Sequence, residues 1–391
     1  MKKIGVVKDH YPEKRTIIEE NPNTIVKIKS RNTHLVNSFL NKIPFIKNKT
    51  NSTFYETPIN IQDIDGFHFF NSVTKIQKPW ITTYETFLPR SKATDKFKKI
   101  DFISFTEKDK KNITKYLDMV SSQNCKKIIA LSKINYEMEK KLLDFFPEHK
   151  NVILEKMVQI NPPQKKIVDR GFVEKKITSN RLRFLFVGKD FIRKGGKEIV
   201  DVFYKIKEET NFEFDLQLVS IGKEKNYAFG KYQDTKDEID SMRKKINECD
   251  FITLHEKLEN KELLELMKQC DVGLLPTWAD TYGYSVLEFQ ASGCPVITTN
   301  VRALPEINNS ETGWMIHLDT DDYGEVIIDS KLKKETQRNS MQKQLENIIL
   351  GIFENPSQIK YKSLNAYDSV SYNHSLKKYM DKLTQIYEES F

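Results

Sequence analysis

The chain has 391 residues, 38% of them apolar and 11% aromatic. It is too long for one ordinary core and too apolar for wholesale disorder, so two domains of roughly 200 residues or fewer are expected. The net charge of +8 is uneven: residues 1–175 carry 33 Lys and Arg against 20 Asp and Glu. That balance suits an anionic partner such as a membrane surface, a phosphorylated lipid or nucleic acid, or simply a soluble Lys-rich surface.

In chain order, the opening MKKIGVV has an apolar run too short for a signal peptide or a membrane span and reads as a first strand. Cys125, Cys249, Cys270 and Cys294 show no CxxC spacing and follow no secretory signal, so a reducing cytoplasm is the expected compartment. A helix is expected around 33–42. GFHFFNSV and PWITTYET follow as apolar strands, then a helix at 113–123, the strand CKKIIALS, a helix at 132–145 and the strand NVILEKMV. INPPQKKIVDRGFVEKKITSN, with its two prolines, many charges and no period, marks a linker near 160–180.

From residue 182 onward, short apolar runs alternate with helical patterns: LRFLFVG, GGKEIVDVFYKIKEE, FDLQLVSIG, an amphipathic 235–248, DFITLHE, NKELLELMKQC, DVGLLPT, GYSVLEFQASG and PVITTN. That alternation specifies a parallel sheet covered by helices on both faces. HSLKKYMDKLTQIYEES closes the chain as an amphipathic helix after a polar stretch. Two doubly wound α/β domains facing across a cleft are the economical architecture, with chemistry expected in strand-to-helix loops at the carboxyl ends of the strands.

Two loops carry the materials for it. In LLPTWADTYGYSVLEFQASG the strand ends near Pro276 and a helix begins near Gly283, so backbone N–H groups of residues 282–285 point out of a helix amino terminus, an arrangement that favours phosphate. Gly283 lets the anion approach closely. Glu288 stands roughly 8 Å further along the axis, about the span of a diphosphate. Asp280 and Glu288 can then accept hydrogen bonds from the sugar hydroxyls at the two ends of a nucleotide-sugar. A plain structural role competes, because Ser285 and Glu288 have the S-x-x-E spacing of a capping box. In RFLFVGKDFIRKGG, Gly188 and Lys189 follow a buried strand, and Arg193, Lys194, Gly195 and Gly196 open the next helix. Cations and glycines at a strand's carboxyl end suit a diphosphate, and they also suit a solvated basic loop.

Residues 182–318 resemble the nucleotide-sugar half of the retaining glycosyltransferase family 4, with VGKDFIRKGG in place of the VGR and KG loop and Asp280-x7-Glu288 in place of Glu-x7-Glu. SGCPVITTNVRALPEI and TGWMI continue the pattern. The resemblance implies a GT-B fold of two Rossmann-like domains, 1–175 for the acceptor, with 370–391 packing back on it, and 176–369 for the nucleotide-sugar. It further implies that Lys189 and Lys194 neutralise the departing diphosphate and that Asp280 with the backbone of Tyr282, Gly283, Tyr284 and Ser285 holds the donor sugar. Glu288 is implied on the ribose, and the base beside Thr253 to Leu258. The activity implied is transfer of a sugar from a UDP- or GDP-sugar to a glycan or lipid-linked acceptor in bacterial surface polysaccharide assembly, without cofactor or metal, in the cytoplasm or peripheral on the inner face of its membrane. Asp280 is one methylene shorter than the family's Glu, and Lys189 replaces an arginine that binds phosphate bidentately. Those departures leave open a catalytically degenerate GT-B protein that scaffolds an active transferase, and a nucleotide-sugar epimerase or hydrolase remains a third candidate.

In the first half, TTYETF offers Glu85 where many members place a histidine; it faces acceptor or sugar, or is a surface or capping glutamate. His10, His68 and His374 lack ligand spacing, and DID at 63–65 and DTD at 319–321 read as turn acids. Residues 92–116 mix lysines with Phe97, Phe102 and Phe105, which suits anionic lipid or a solvated face. Nothing resembles a nucleic-acid module.

Overall fold

The computed structural model describes residues 1–31, 54–91, 94, 105–176, 181–219 and 225–391. It divides into two compact units, Met1–Pro163 with Leu376–Phe391, and Gln164–Ser375. The helix expected at 33–42, Phe97 and Phe102 lie outside the described residues.

The first unit is built on strands β1 (Lys3–Val6), β2 (Thr24–Lys27), β4 (Gly66–Phe70), β6 (Trp80–Tyr84), β7 (Cys125–Ala130) and β8 (Met157–Gln159), with the two-residue β3 (Tyr55–Glu56) and β5 (Val73–Thr74) paired separately. The sheet order is β2-β1-β4-β6-β7-β8, and every pair is parallel. All residues of β4 and β6 are buried, as expected of parallel strands covered on both faces. Asn71, with φ +55°, ends β4 and separates it from β5, so GFHFFNSV is two strands.

NVILEKMV corrects the sequence expectation more sharply. Its first six residues belong to helix Pro147–Lys156, and only Met157–Gln159 is strand. Pro147 at the first helical turn sets this start, and His149 and Ile153, four residues apart, bury one face. Phe105, which the sequence offered to lipid, packs against Phe145 and Phe146 at 5.6 and 5.8 Å between ring centres. Helix Leu376–Ser390 packs on this sheet: Tyr379, Leu383 and Tyr387 share a core with Ile4, Ile81 and Ile129. The Tyr387 hydroxyl meets His68 Nδ1 at 2.7 Å, and His68 Nε2 meets Thr83 Oγ1 at 2.8 Å. His68 is thus a satisfied core histidine, held down at about 3 by burial.

The second unit carries β9 (Leu182–Val187), β10 (Phe214–Val219), β11 (Ile252–His255), β12 (Val272–Leu275), β13 (Val296–Thr299) and β14 (Gly313–Ile316) in one parallel sheet, order β11-β10-β9-β12-β13-β14. Counted within the unit, that order is 3-2-1-4-5-6, the doubly wound arrangement. The polar stretch before the last helix contains two long helices, Lys331–Glu354 and Ser357–Asn373. Among the described residues, no helix is long and apolar enough to cross a membrane.

The loop after β6, which carries Glu85, is braced by Glu139 of helix Lys133–Leu143, whose Oε2 accepts a hydrogen bond from Leu88 N at 2.8 Å. Burial pushes this carboxyl up to about 8, against the Leu88 hydrogen bond. The native state therefore keeps its proton to a higher pH than the unfolded chain, and the stabilisation present below the ordinary value of 4.5 is lost as pH rises through about 8. The melting temperature of the wild type, followed by calorimetry, is expected to fall across that window, and Glu139→Gln is expected to flatten the slope.

Candidate functional site

In a doubly wound sheet, ligands bind where the strand order reverses, because the loops leaving the carboxyl ends of the two central strands turn opposite ways. Here those strands are β9 and β12, and the loops after them meet. Gly195, φ +84°, lies so close to the second loop that a Cβ would fall 2.0 Å from the Pro276 carbonyl oxygen. Trp278 N and Thr277 Oγ1 both donate to the Arg193 carbonyl, at 2.9 and 3.1 Å. The Arg193 guanidinium donates to Asp190 Oδ2 in its own loop and to the Ala279 carbonyl in the other.

Lys194 completes the junction with an ion pair to Asp280, whose other oxygen accepts from Thr281 N at 2.8 Å. The Lys194 and Asp280 side chains are only 14% and 10% exposed. Burial acts most strongly on both, pulling the Lys194 ammonium below its usual range. On Asp280 it is outweighed by the Lys194 charge and hydrogen bond, Arg193 and the Thr281 N–H, so the carboxyl sits below the usual range. Gly188 makes room for this geometry: a Cβ there would fall 3.0 Å from Lys194 Cβ and Cγ. Lys189 is exposed on the same loop.

Helix Tyr284–Ala291 starts directly after Asp280-Thr281-Tyr282-Gly283. Its N-cap is Gly283, φ +91°, and no side chain caps it, so the capping box offered by Ser285 and Glu288 does not form. Ser285 sits one residue inside the helix, where its hydroxyl is past the capping position. Along this helix Tyr284, Ser285 and Glu288 are half-buried while Val286, Leu287, Phe289 and Gln290 are buried, leaving one accessible stripe with Glu288 a turn beyond Tyr284. The Tyr282 ring is buried against Tyr284 and His374, so only its backbone is available at the loop. Thr253 is exposed in edge strand β11, and Leu258 is half-buried in the loop beyond it. They lie two strands from β9, about 10 Å across the sheet.

Three side chains escaped the sequence reading. Tyr227, on the turn Tyr227–Phe229, has the Arg193 guanidinium over its ring at 5.4 Å. Although 55% of the residue is exposed, burial, with Glu325 and Asp280, pushes its hydroxyl up to about 12 against Arg193 and Arg302. Arg302, φ +53°, is buried after β13 and pairs with Glu325 at 3.4 Å. Phe229 meets Trp278 edge-on at 4.9 Å and carries Lys334 and Arg338 over its ring at 5.0 and 5.5 Å. Arg338 in turn is bonded to Glu198 and Asp234, at 2.9 and 2.6 Å. None of these stands in a periodic pattern, so only the backbone path reveals them. Among the described residues no group of three or more His, Cys, Asp or Glu is placed to hold a metal ion. The DID and DTD acids serve locally: Asp65 accepts from Lys3 N, and Asp321 from Tyr323 N and Glu325 N.

In the first unit, Glu85 is tied to Asn71, which donates to its Oε1 at 3.3 Å and accepts from its N at 3.1 Å; Arg90 lies 3.9 Å away.

Gly283→Ala is expected to lower stability by about 1–3 kcal/mol, since it places a side chain at φ +91° with its Cβ 2.5 Å from Leu304 Cδ2. Gly230→Ala, φ +55° with nothing within 4 Å of the added Cβ, isolates the cost of the backbone conformation and is expected to lower the melting temperature less.

Residues 181–330 match the model of the family described as glycosyl transferases group 1. A 41.2 kDa protein in the cps region of Klebsiella pneumoniae is 24% identical over 230 residues, which are 59% of this chain and 58% of that protein, less than two thirds of its length. Among solved structures, Alr3699/HepE of Anabaena, in complex with UDP and glucose, is similar with a TM-score of 0.57 at 12% identity, covering 99% of this chain and 100% of its own. WaaG, a glycosyltransferase involved in lipopolysaccharide biosynthesis, is similar with a TM-score of 0.54 at 17% identity, covering 93% and 86%. The chain has the GT-B fold, and its residues 181–330 are similar to the glycosyl transferases group 1.

Proposed function

We propose that this protein is a retaining glycosyltransferase of family 4 that moves a sugar from a nucleoside-diphosphate-sugar to a glycan or lipid-linked acceptor in bacterial surface polysaccharide assembly. The observation that carries this is the meeting of the β9 and β12 loops at the switch point, where Lys194, Asp280 and the Gly283-capped start of helix Tyr284–Ala291 converge. Lys189 and Lys194 face the diphosphate, and the backbone from Tyr282 to Ser285 supplies N–H donors to it. Asp280 and Glu288 bind the sugar and ribose hydroxyls. The base, of a UDP or GDP donor, reaches along the carboxyl edge toward Thr253 and Leu258. A donor exchanges the ion pair between Lys194 and Asp280 for its own contacts, the diphosphate taking the lysine and a sugar hydroxyl the carboxylate, while the crossed loops keep both groups beside the helix start. The basic first half suits an acceptor presented at an anionic membrane surface.

Incubation with UDP, GDP and their sugars is expected to raise the melting temperature with one nucleotide series and to release nucleotide from its sugar. Glu288→Ala is expected to weaken nucleotide affinity about 10- to 100-fold, the loss of charge-assisted hydrogen bonds to a diol. No shift and no release with any UDP- or GDP-sugar defeats the proposal. The scaffold alternative, motivated by Asp280 and Lys189 standing where the family has Glu and Arg, holds instead if Glu288→Ala abolishes nucleotide binding and leaves biological activity intact.

A further inference from the structure

The first unit has its own reversal of strand order, between β1 and β4: β2 lies on one side and β6, β7 and β8 on the other. The loops leaving the carboxyl ends of β1 and β4 border a notch of about 10 Å³, room for one water-sized group. Its polar walls are Lys8, Glu13, Glu56, Ser72 and His68, whose two ring nitrogens are already bonded to Tyr387 and Thr83. Lys8 pairs with Glu56 at 2.7 Å, but the contacts that Ser72 Oγ makes with Lys8 Nζ and Glu56 Oε1 are long, 3.4 and 3.5 Å. Glu13 is only 5% exposed, and its Oε2 has no hydrogen-bond partner among the described residues. A buried carboxyl oxygen without a partner is costly, so a group that bonds it is favoured.

Beside the notch, the Phe54 ring has Lys8 at 5.9 Å and Arg90 at 4.9 Å from its centre. Arg90 also faces Glu85, which Asn71 holds by both its N–H and its carboxylate. An aromatic ring flanked by two cations, each facing a carboxylate, is chemistry that binds a polyhydroxylated ring.

We propose that the notch receives one hydroxyl of a neutral sugar, which donates to Glu13 or Glu56 and accepts from Lys8, while the sugar ring rests on Phe54. Glu13, Lys8, Glu56 and Ser72 then form a carbohydrate subsite of the first unit. Calling that sugar the acceptor rests on the glycosyltransferase proposal above. Burial, opposed by its own N–H, His10 and Lys8, raises the Glu13 carboxyl above the usual range. A site built to bond a hydroxyl discriminates strongly against the analogue lacking it.

The test titrates the full chain with methyl glycosides of glucose, galactose, mannose and N-acetylglucosamine by ligand-observed NMR, with UDP and GDP melting shifts measured in parallel. At least one glycoside is expected to bind. Glu13→Leu is expected to weaken it about tenfold or more with the nucleotide shift unchanged, and Glu13→Gln, still able to hydrogen-bond, to weaken it less. One monodeoxy form of that glycoside is expected to bind the wild type as poorly as the parent binds Glu13→Leu. Should Glu13→Leu fail to fold, Ser72→Ala carries the same expectation at smaller size. Equal glycoside binding by wild type and variant overturns the proposal, as does a lack of binding by every glycoside. A higher melting temperature for Glu13→Leu with glycoside binding unaltered also overturns it and leaves the notch a water site. Glycoside binding that needs Glu13 in a protein that binds no nucleotide sustains this subsite and defeats the donor proposal instead.

Discussion

Lys194 and Asp280 face each other where two loops cross, with little access to water, and their ion pair depends on the backbone beneath it. The lysine stem passes over Gly188, and the backbone of Gly195 presses against the Pro276 carbonyl. Arg193 bonds both loops, through Asp190 and Ala279. Two charges removed from water persist when they hold each other, and Asp280 is held further by the Thr281 N–H. The same closeness sets the start of helix Tyr284–Ala291 beside the pair, so a cation, a carboxylate and a row of backbone donors converge within one turn of chain.

Support for this junction comes from behind. Phe229 transmits the position of Arg338 and Lys334 to Trp278, two residues from Asp280. Arg338 is itself fixed by Glu198, in the helix that follows Gly195, and by Asp234. The loop that carries the site chemistry therefore rests on an aromatic ring clamped by a buried charge network, which restricts its motion. In the first unit the corresponding edge is more loosely bonded. Among the described residues one oxygen of Glu13 has no hydrogen-bond partner, and the contacts of Ser72 are long.

Much of the second unit was legible because most of its strands were short apolar runs and the helices between them had a 3.6-residue period, whereas the two long helices after β14 lay in what read as a polar stretch. Gly283 as the entry to its helix followed from its place between a strand and an apolar period, and the structure adds the reason, a left-handed conformation packed against Leu304. The first unit was harder. NVILEKMV has a strand's composition, yet Pro147 starts a helix that runs through most of it. The capping box at Ser285 was a false signal, since spacing alone does not say which residue precedes the first helical turn.

By itself the sequence determined the α/β class, the strands of the second sheet other than β14, and the two loops rich in glycine and charge, because periodicity and turn chemistry are local properties. Only the tertiary structure decided that Lys194 pairs with Asp280, 86 residues away, and that Tyr227 and Arg302 lie near them. It also brought Glu13, Glu56 and Ser72 around one notch. Those contacts depend on the order of strands in a sheet and on where loops cross its edge, and no residue carries that order in its own neighbourhood.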